Sequence, residues 1–461
     1  MQDRLRVAVT IVAVAIAALQ TVSCHPFKSS QQGSDPNQLA QVLEAGVDGS
    51  KRNLHIFKET SNILSSHHAI TRKHRAPSTQ PHEVVFVLKQ RNMEELTRIL
   101  HDVSDPSSPN YGKHMTRQEV RDLTLNMDSH DEIVSYLQGV GAKVIDEKYK
   151  GETITARAPV EVWERMFDTE FFVYAFENNP QTSDVTETIM IRTEEYSVPK
   201  GFDGHVASVL NTVEIPVSMH LTSRPAHQRL IGSVGSDKFS VASKKFDGYT
   251  SPQLLNEVYR IDDNTGHPRA TQGAFEGFNQ FYSPEDIELF QLQFELPFYT
   301  VNRSTFDRAR SSEFCVQNDY EVCIGPNLDL QYLMAMAQTP TTNYYTPLTT
   351  FGLWAQAVFN TDKNPPLVLS IGYGTEERVT SKSEFDLFEE FAKKLGVIGV
   401  TLVAGSGDDG VSKPSVKLSS RDCGYSPQFP ASCPYVTSVG STQVKQGTLQ
   451  ICFIDLQHLF T

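Results

Sequence analysis

Gly399-Val-Thr-Leu-Val-Ala-Gly-Ser-Gly-Asp-Asp-Gly410 is the stretch that decides the fold of the second half of this chain. The apolar, β-branched run from Val400 to Ala404 predicts a buried parallel strand, and the Gly, Ser and Asp residues after it predict a loop. In open α/β sheets, ligands and catalytic groups collect at this carboxyl edge. The segment makes Asp408 a candidate functional residue, although an aspartate that merely caps a strand-to-helix turn is the more ordinary interpretation.

Strand and helix signals alternate on both sides of this stretch. Segments of the two kinds follow one another at residues 273–278, 284–294, 298–301, 326–337, 351–359, 366–373, 383–395 and 399–404. This rhythm predicts an α/β fold with a doubly wound parallel sheet. Residues 82–217 instead mix strands and helices over a shorter length, which predicts a compact α+β domain.

The two ends of the chain and its middle have different compositions. Arg4 and Arg6 precede an apolar run that is too short to cross a bilayer, which is typical of a signal peptide over residues 1–24. Residues 25–81 are predicted to be a polar lead-in, 218–245 an exposed linker with processing sites, and 443–461 a divergent tail. We therefore expect the secretory pathway, with the lysosome or the extracellular space as destination.

Charge and cysteine content limit the partners. The net charge of −14 argues against a nucleic-acid partner, and no membrane partner is expected after signal removal. Beyond Cys24 the chain contains Cys315, Cys323, Cys423, Cys433 and Cys452. The close pairs 315/323 and 423/433 allow local disulfides and leave Cys452 odd, but spacing alone does not decide connectivity. No zinc-binding pattern is present.

The distribution of histidine points to carboxylate chemistry. Of the 14 histidines, those in the α/β half are only His267 and His458. A Ser-His-Asp triad needs an imidazole in the catalytic domain, so Asp and Glu are the expected acid–base groups. Pro326 is predicted at the first helical position, which places Asp329 in the first turn, where the helix dipole favours an anion. An acid that only stabilises the helix is the alternative.

Several ordered segments together resemble the sedolisin (serine-carboxyl peptidase) family, most of all its tripeptidyl-peptidase branch. They are Ile324 to Met334, Pro366 to Gly374, Ser406-Gly-Asp408 and Phe429 to Gly440, and Asp102 to His114 separately resembles that family's activation prodomain. The resemblance extends over about residues 82–442. It implies a ferredoxin-like α+β prodomain at 82–217, followed by a subtilisin-like but incomplete peptidase domain at 246–442.

The resemblance also implies roles for individual residues. In the family, a Ser-Glu-Asp triad works with an Asp in the oxyanion hole. Asp329 matches the triad Asp, and Asp408 matches the oxyanion Asp, which donates a hydrogen bond to the tetrahedral intermediate when it is protonated. The implied substrate-binding residues follow two strand ends: Gly372, Gly405, Ser406 and Gly407.

Two triad residues of the family have no match. The general base lies four residues before the triad Asp, and Gly325 stands there. The nucleophile lies in a downstream Gly-Thr-Ser motif, and this chain departs from the pattern after Thr442; Ser441 belongs to an earlier block. The family's structural calcium site near the C-terminus is also expected to be absent, so no cofactor is expected.

Two hypotheses follow. In the first, the chain is a serine-type acid peptidase by descent, of the kind that removes tripeptides from free N-termini, truncated at the C-terminus and inactive as written. In the second, it is a non-catalytic pseudoprotease or a prodomain-like protein that binds or inhibits a related peptidase. The expected partners are a peptide or protein substrate, a related peptidase, and the chain's own prodomain.

Overall fold

The computed structural model describes residues 55–61, 64, 70–146, 148–177, 187–215, 251–276, 280–304, 308–317, 321–345, 350–407 and 427–440. The predicted signal peptide, the 218–245 linker and the divergent tail lie outside these residues. We call residues 55–215 the N-terminal module and residues 251–440 the C-terminal module. Within the described ranges, no helix has the length and apolar character that crossing a membrane requires.

In its described residues, the N-terminal module combines antiparallel sheets with four α-helices. Its strands are β1 (His55–Thr60), β2 (Ile70–Arg75), β3 (Pro81–Leu88), β4 (Lys143–Asp146), β5 (Thr153–Pro159), β6 (Phe172–Glu177), β7 (Glu187–Arg192), β8 (Glu195–Pro199) and β9 (Val206–Leu210). Its helices are α1 (Met93–Ser104), α2 (Arg117–Thr124), α3 (Met127–Gly139) and α4 (Val160–Phe167). A capping box opens α2, since Thr116 and Glu119 each accept a backbone N–H from the other.

The main sheet of this module has the strand order β4-β5-β3-β9 and is antiparallel throughout. With helices between β3 and β4 and between β5 and β9, it follows the β-α-β-β-α-β order of the ferredoxin-like fold. The polar lead-in that we expected over residues 25–81 contains two paired strands in its described part, because β1 pairs with β8 and β2 with β6. Only the first residue of β2 is apolar, so this strand shows no period-two pattern.

The C-terminal module is built on a six-stranded parallel sheet. Its strands are β10 (Thr271–Phe275), β11 (Arg303–Ser304), β12 (Thr341–Tyr345), β13 (Val368–Ile371), β15 (Thr401–Gly405) and β17 (Thr437–Val439), and the short strands β14 (Thr375–Glu376) and β16 (Gln428–Phe429) pair separately. Its helices are α5 (Pro252–Tyr259), α6 (Pro284–Gln293), α7 (Ser312–Gln317), α8 (Glu321–Met336), α9 (Phe351–Thr361) and α10 (Lys382–Val397).

The strand order β11-β12-β10-β13-β15-β17 determines where a site can form. The chain enters at β10, continues to one side through β11 and β12, and then crosses to the other side at β13, with every pairing parallel. The order therefore reverses next to β10, and the carboxyl ends of β10 and β13 border a crevice of the kind that holds ligands in α/β sheets.

The two modules share one hydrophobic core. Val85 and Val87 of β3 and Leu96 of α1 belong to the same buried cluster as residues of α9 and α10. Polar groups are buried at this contact as well. The wholly buried Lys394 ammonium of α10 lies 3.2 Å from a Glu152 oxygen of the N-terminal module and 2.9 Å from Glu390.

The C-terminal module differs from the sequence-based expectations in two strands and one cysteine pair. Residues 298–301 form no strand, and the edge strand lies instead at β11; β12 was not predicted because its Thr-Thr-Asn start is polar. Cys315 and Cys323 form a disulfide, one of the two that their spacing allowed. Cys433, however, carries a free, buried thiol instead of pairing with Cys423, which lies outside the described residues.

Candidate active site

Asp329 lies well inside α8. The helix begins at Glu321, so the prediction that it starts at Pro326 and carries Asp329 in its first turn is wrong. Pro326 has no N–H for the carbonyl of Val322, but that carbonyl instead accepts the backbone N–H of Phe281 over 2.9 Å. Because the orphaned carbonyl has a partner, the helix continues through the proline and places Asp329 among the strand ends.

The carboxyl group of Asp329 faces that of Glu276, a residue that immediately follows β10. Glu276 is completely buried, and its backbone N–H donates to the carbonyl of Tyr345 over 2.9 Å. Within the described part of the chain, no other group donates a hydrogen bond to either Glu276 carboxylate oxygen. Two neighbouring carboxyl groups in a buried site repel each other when both are charged, so the arrangement favours a state in which one of them carries a proton.

Burial, followed by the negative charge of Asp329, raises the pKa of Glu276 well above its ordinary value. The two groups titrate as a coupled pair. The pair therefore keeps a proton at pH values where an isolated glutamic acid has lost it. This is an acid–base group without a histidine.

Gly372 follows β13 and lies directly against Asp329. A Cβ atom on Gly372 would overlap the Oδ2 atom of Asp329, so the carboxylate occupies the space that any larger residue would need. The glycine permits close approach of the backbone to a polar group. Its predicted role in substrate binding stays a prediction.

A phenol completes the described part of the site. The Tyr373 hydroxyl donates a hydrogen bond to the side-chain oxygen of Gln280, and burial together with Glu276 and Asp329 raises the pKa of Tyr373. The phenol is therefore neutral. Its oxygen lies where a Cβ atom on Gly325 would be.

The remaining predicted residues lie at the next strand end. In the sheet register Ile371 is opposite Ala404, so Gly405, which ends β15, lies beside Gly372. Ser406 donates its backbone N–H to the carbonyl of Val439 over 2.9 Å, and Gly407 has a φ of +97° that favours glycine. The structure thus brings Asp329, Gly372 and residues 405–407 to one edge of the sheet. Asp408 lies outside the described residues.

Sequence reasoning missed Glu276, Gln280 and Tyr373. An acid at the end of a buried strand is the signal by which Asp408 was found, and Glu276 carries the same signal after Gly273-Ala-Phe275. The sequence analysis instead counted Glu276 as part of a strand predicted at residues 273–278. Among the described residues, no group of three or more His, Cys, Asp or Glu side chains is placed to hold a metal ion.

Comparison with protein families identifies a domain in the first half of the chain. Residues 68–215 match the family model for the Pro-kumamolisin activation domain. That range coincides with most of the N-terminal module and includes β2, which lies before the domain start that we predicted.

Curated relatives match over most of the chain. Tripeptidyl-peptidase SED2 of Arthroderma otae is 26% identical over 400 residues, which cover 77% of this chain and 62% of the relative. Physarolisin of Physarum polycephalum is 29% identical, with 79% and 60% covered, and human tripeptidyl-peptidase 1 is 27% identical, with 81% and 64% covered. The matched region thus spans a little over three fifths of the length of these relatives.

Among the solved structures that are similar is Pseudomonas sedolisin, a serine-carboxyl proteinase, complexed with two molecules of pseudo-iodotyrostatin; the sequence identity is 18%, and 42% of this chain and 54% of that chain are covered. At a TM-score of 0.33 this likeness carries no structural argument.

Proposed function

Because the chain belongs to the sedolisin family of serine-carboxyl peptidases, we propose that its C-terminal module is a peptide-binding scaffold of the acid tripeptidyl-peptidase type. Such an enzyme removes tripeptides from free N-termini. We further propose that the 461-residue chain does not itself hydrolyse peptides. The observation that carries the proposal is the Glu276–Asp329 carboxyl pair at the carboxyl edge of the parallel sheet.

The carboxyl pair supports acid–base chemistry of the family's kind. A buried pair that retains one proton can give or take a proton where no imidazole is present. We assign to Asp329 the role of the triad Asp, with the buried Glu276 as the neighbouring carboxyl group that influences its protonation state. Asp408 keeps its proposed oxyanion role, and Gly372, Gly405, Ser406 and Gly407 their proposed substrate-binding role.

The proposed lack of turnover rests on two positions. The 461 residues contain no Gly-Thr-Ser motif, and residue 325 is Gly where the family has its general base. Loss of a nucleophile or base lowers turnover by several powers of ten. The proposed scheme uses no metal, and the calcium implied by the resemblance takes no part in it.

A second candidate function is a non-catalytic protein that binds peptides or a related peptidase. Gly325 favours it, because glycine brings no acid–base group to the position where the family has its general base, and the Tyr373 hydroxyl lies beside it. In either case the proposed role of the N-terminal module is that of an activation prodomain, a partner of its own C-terminal module. The proposed location is the secretory pathway, lysosomal or extracellular, which the Cys315–Cys323 disulfide supports.

The test is a peptidase assay with a binding arm. The purified chain is incubated between about pH 3 and 6 with an N-terminally free tripeptide amide that carries a fluorogenic leaving group. We expect no release above that of Asp329→Ala, and binding of the free tripeptide but not of its N-acetylated form by calorimetry. Asp386→Asn, which changes an exposed acid on α10, is the matched control. Turnover that Asp329→Ala abolishes and Asp386→Asn leaves intact would refute the proposed inactivity.

A further inference from the structure

We propose that Asn302 carries an N-linked oligosaccharide, which covers an exposed apolar surface at the edge of the parallel sheet. Asn302-Arg303-Ser304 has the Asn-x-Ser pattern of an N-glycosylation acceptor, with no proline at the middle position. It is the only acceptor pattern of this kind in the 461 residues. Such tripeptides also occur by chance, so the assignment depends on the surroundings of Asn302. The proposal rests on the proposed secretory location and is independent of the carboxyl site.

Asn302 lies on the surface, directly before the edge strand β11. Its backbone N–H donates to the carbonyl of Thr342 over 2.8 Å, and its side-chain Nδ2 donates to the Oδ1 atom of Asn343 over 3.1 Å. A glycosylated asparagine keeps one of its two Nδ2 hydrogens, so it is still a donor for Asn343. The position is therefore both fixed and exposed, and the folded chain accommodates a bulky group there.

The acceptor lies at the edge of the sheet opposite the candidate active site. Asn302 comes before its strand, whereas Glu276 and Gly372 come after theirs. Because the strands run in parallel, residues before the strands lie at the amino edge and residues after them at the carboxyl edge. An oligosaccharide on Asn302 would leave the carboxyl edge open.

The segment that leads to Asn302 exposes apolar side chains that an oligosaccharide can cover. Phe298 is 62% exposed, and Leu289 and Leu292, three residues apart on α6, are each 63% exposed. Phe298 is four residues from Asn302, so their Cα atoms are at most about 14 Å apart. N-linked glycans are bulky and solubilising. One attached at Asn302 would therefore lie over or beside Phe298.

The backbone of this region also needs protection. The Gln291 side chain accepts from the backbone N–H of Tyr299 over 3.3 Å and donates to its carbonyl over 3.0 Å, which holds the segment against α6. β11 is at one end of the strand order and, among the described residues, has β12 as its single strand partner. An open sheet edge can pair with another chain, and native proteins protect such edges. A glycan directly before β11 would provide this protection.

The modification is a group transfer from a polyprenyl diphosphate-linked oligosaccharide. The Nδ2 atom of Asn302 forms a bond to the anomeric carbon of the first sugar and loses one proton. The bond between that carbon and the diphosphate oxygen breaks, and the polyprenyl diphosphate leaves with the bonding electron pair. The donor belongs to the secretory pathway, the compartment that the Cys315–Cys323 disulfide supports.

The test is the gel mobility and peptide mass of the full chain expressed in a eukaryotic cell. One form has its own N-terminus, and a second carries a leader that directs secretion ahead of Met1. Both are recovered from the microsomal fraction and from the medium, so a chain that folds poorly still gives an answer. We expect peptide N-glycosidase to increase the mobility of the leader-directed form by one step and to convert Asn302 to aspartate, which changes the mass of its peptide.

Variants of the acceptor separate this site from other changes in mobility. Asn302→Gln and Ser304→Ala should abolish the mobility step, whereas Ser304→Thr, which keeps the acceptor pattern, should retain it. Asn364→Gln, at an exposed asparagine without the pattern, is the matched control and should retain it as well. A leader-directed chain without sugar on Asn302 would overturn the proposal. A glycan on the leader-directed form alone would confirm the acceptor and refute the proposed secretory location.

The covering role has a separate readout in solubility. Removal of the glycan, by Asn302→Gln or by peptide N-glycosidase on the folded chain, should lower the protein concentration at which light scattering begins. Adding Phe298→Ser should restore the higher concentration. Phe57→Ser, at a 58% exposed phenylalanine on β1 of the N-terminal module, should not. Equal solubility with and without the glycan, or equal recovery by Phe57→Ser, would refute the covering role, while the peptide mass decides the modification itself.

Discussion

Replacement of Lys394 by methionine tests how the two modules are joined. The Lys394 ammonium is wholly buried and donates to Glu152 over 3.2 Å, to Glu390 over 2.9 Å and to Gln90 over 3.1 Å. Burial alone would lower the pKa of Lys394, but the attraction of the two carboxylates outweighs it and raises the pKa. The cation is therefore stabilised by the acids around it, one of them from the other module.

The expected loss in the free energy of unfolding follows from the groups that remain around position 394 in Lys394→Met. Methionine keeps the length of the lysine stem, which lies over the ring of Phe391 with its ammonium 4.4 Å from the ring centroid. The loss is then mainly electrostatic, because Glu152, 1% exposed, remains buried without its cation. Removal of one partner from a buried ion pair costs about 3 to 5 kcal/mol in the free energy of unfolding. Glu390, 15% exposed, is better solvated and adds less.

The assay is urea unfolding followed by tryptophan fluorescence. The chain has two tryptophans, both buried. Trp163, in α4, belongs to the N-terminal module, and Trp354, in α9, belongs to the C-terminal module. Single Trp→Phe variants make each module visible on its own. In Lys394→Met we expect Trp354, at the contact between modules, to report the loss at a lower urea concentration than Trp163.

The matched control lies on the same helix. Lys382 and Asp386 form an i, i+4 pair like Lys394 and Glu390, but their side chains are 72% and 51% exposed. Lys382→Met should cost about 1 kcal/mol at most, because exposed pairs contribute little. If the two methionine variants were equally stable, the argument from burial would be wrong. Adding Glu152→Gln to Lys394→Met should recover part of the loss, since the uncompensated charge is removed.

Two further predictions concern buried groups of the C-terminal module. Burial raises the pKa of Glu384 to about 8, so its contribution to stability is complete below about pH 4.5 and is lost as pH rises to about 8. Between these two pH values the free energy of unfolding, obtained from urea titrations, should fall by up to about 5 kcal/mol more in the parent than in Glu384→Gln, and an equal fall would contradict the assignment. Gly372→Ala should lower the melting temperature because its Cβ overlaps Asp329, and adding Asp329→Ala should relieve that loss. Gly204→Ala, which meets no atom within 4 Å, is the control in the same thermal-melting assay. A loss that persists without the Asp329 carboxyl would rule out this contact as the cause.

Periodicity predicted most of the C-terminal module. The helices predicted at 284–294, 351–359 and 383–395 and the strand at 399–404 are present with small shifts at their ends. These segments are apolar enough to be buried, and burial gives them a clear pattern. The short strands β11 and β12 were missed for the opposite reason: they are short or partly polar, and their pairing partners are far away in sequence.

The helix start at Pro326 shows a different limit of sequence reasoning. A proline after a glycine ordinarily marks a helix start or a break. Here the carbonyl that proline leaves without a donor is bonded by Phe281, about forty residues away along the chain. No local pattern contains that information. Asp329 nonetheless lies on a helix, as predicted, and the structure places its carboxylate against Gly372, a contact that the sequence analysis did not predict.

The position of the missing general base shows why one substitution cannot simply be reversed. A glutamate at position 325 would have to place its Cβ in the space of the Tyr373 hydroxyl, and that hydroxyl is held by Gln280. A carboxylate at position 325 therefore requires Tyr373 and its acceptor Gln280 to shift, which involves residues from three separate segments, after β10, in α8 and after β13. The Glu276–Asp329 pair needs no such change, because these two carboxyl groups already face each other.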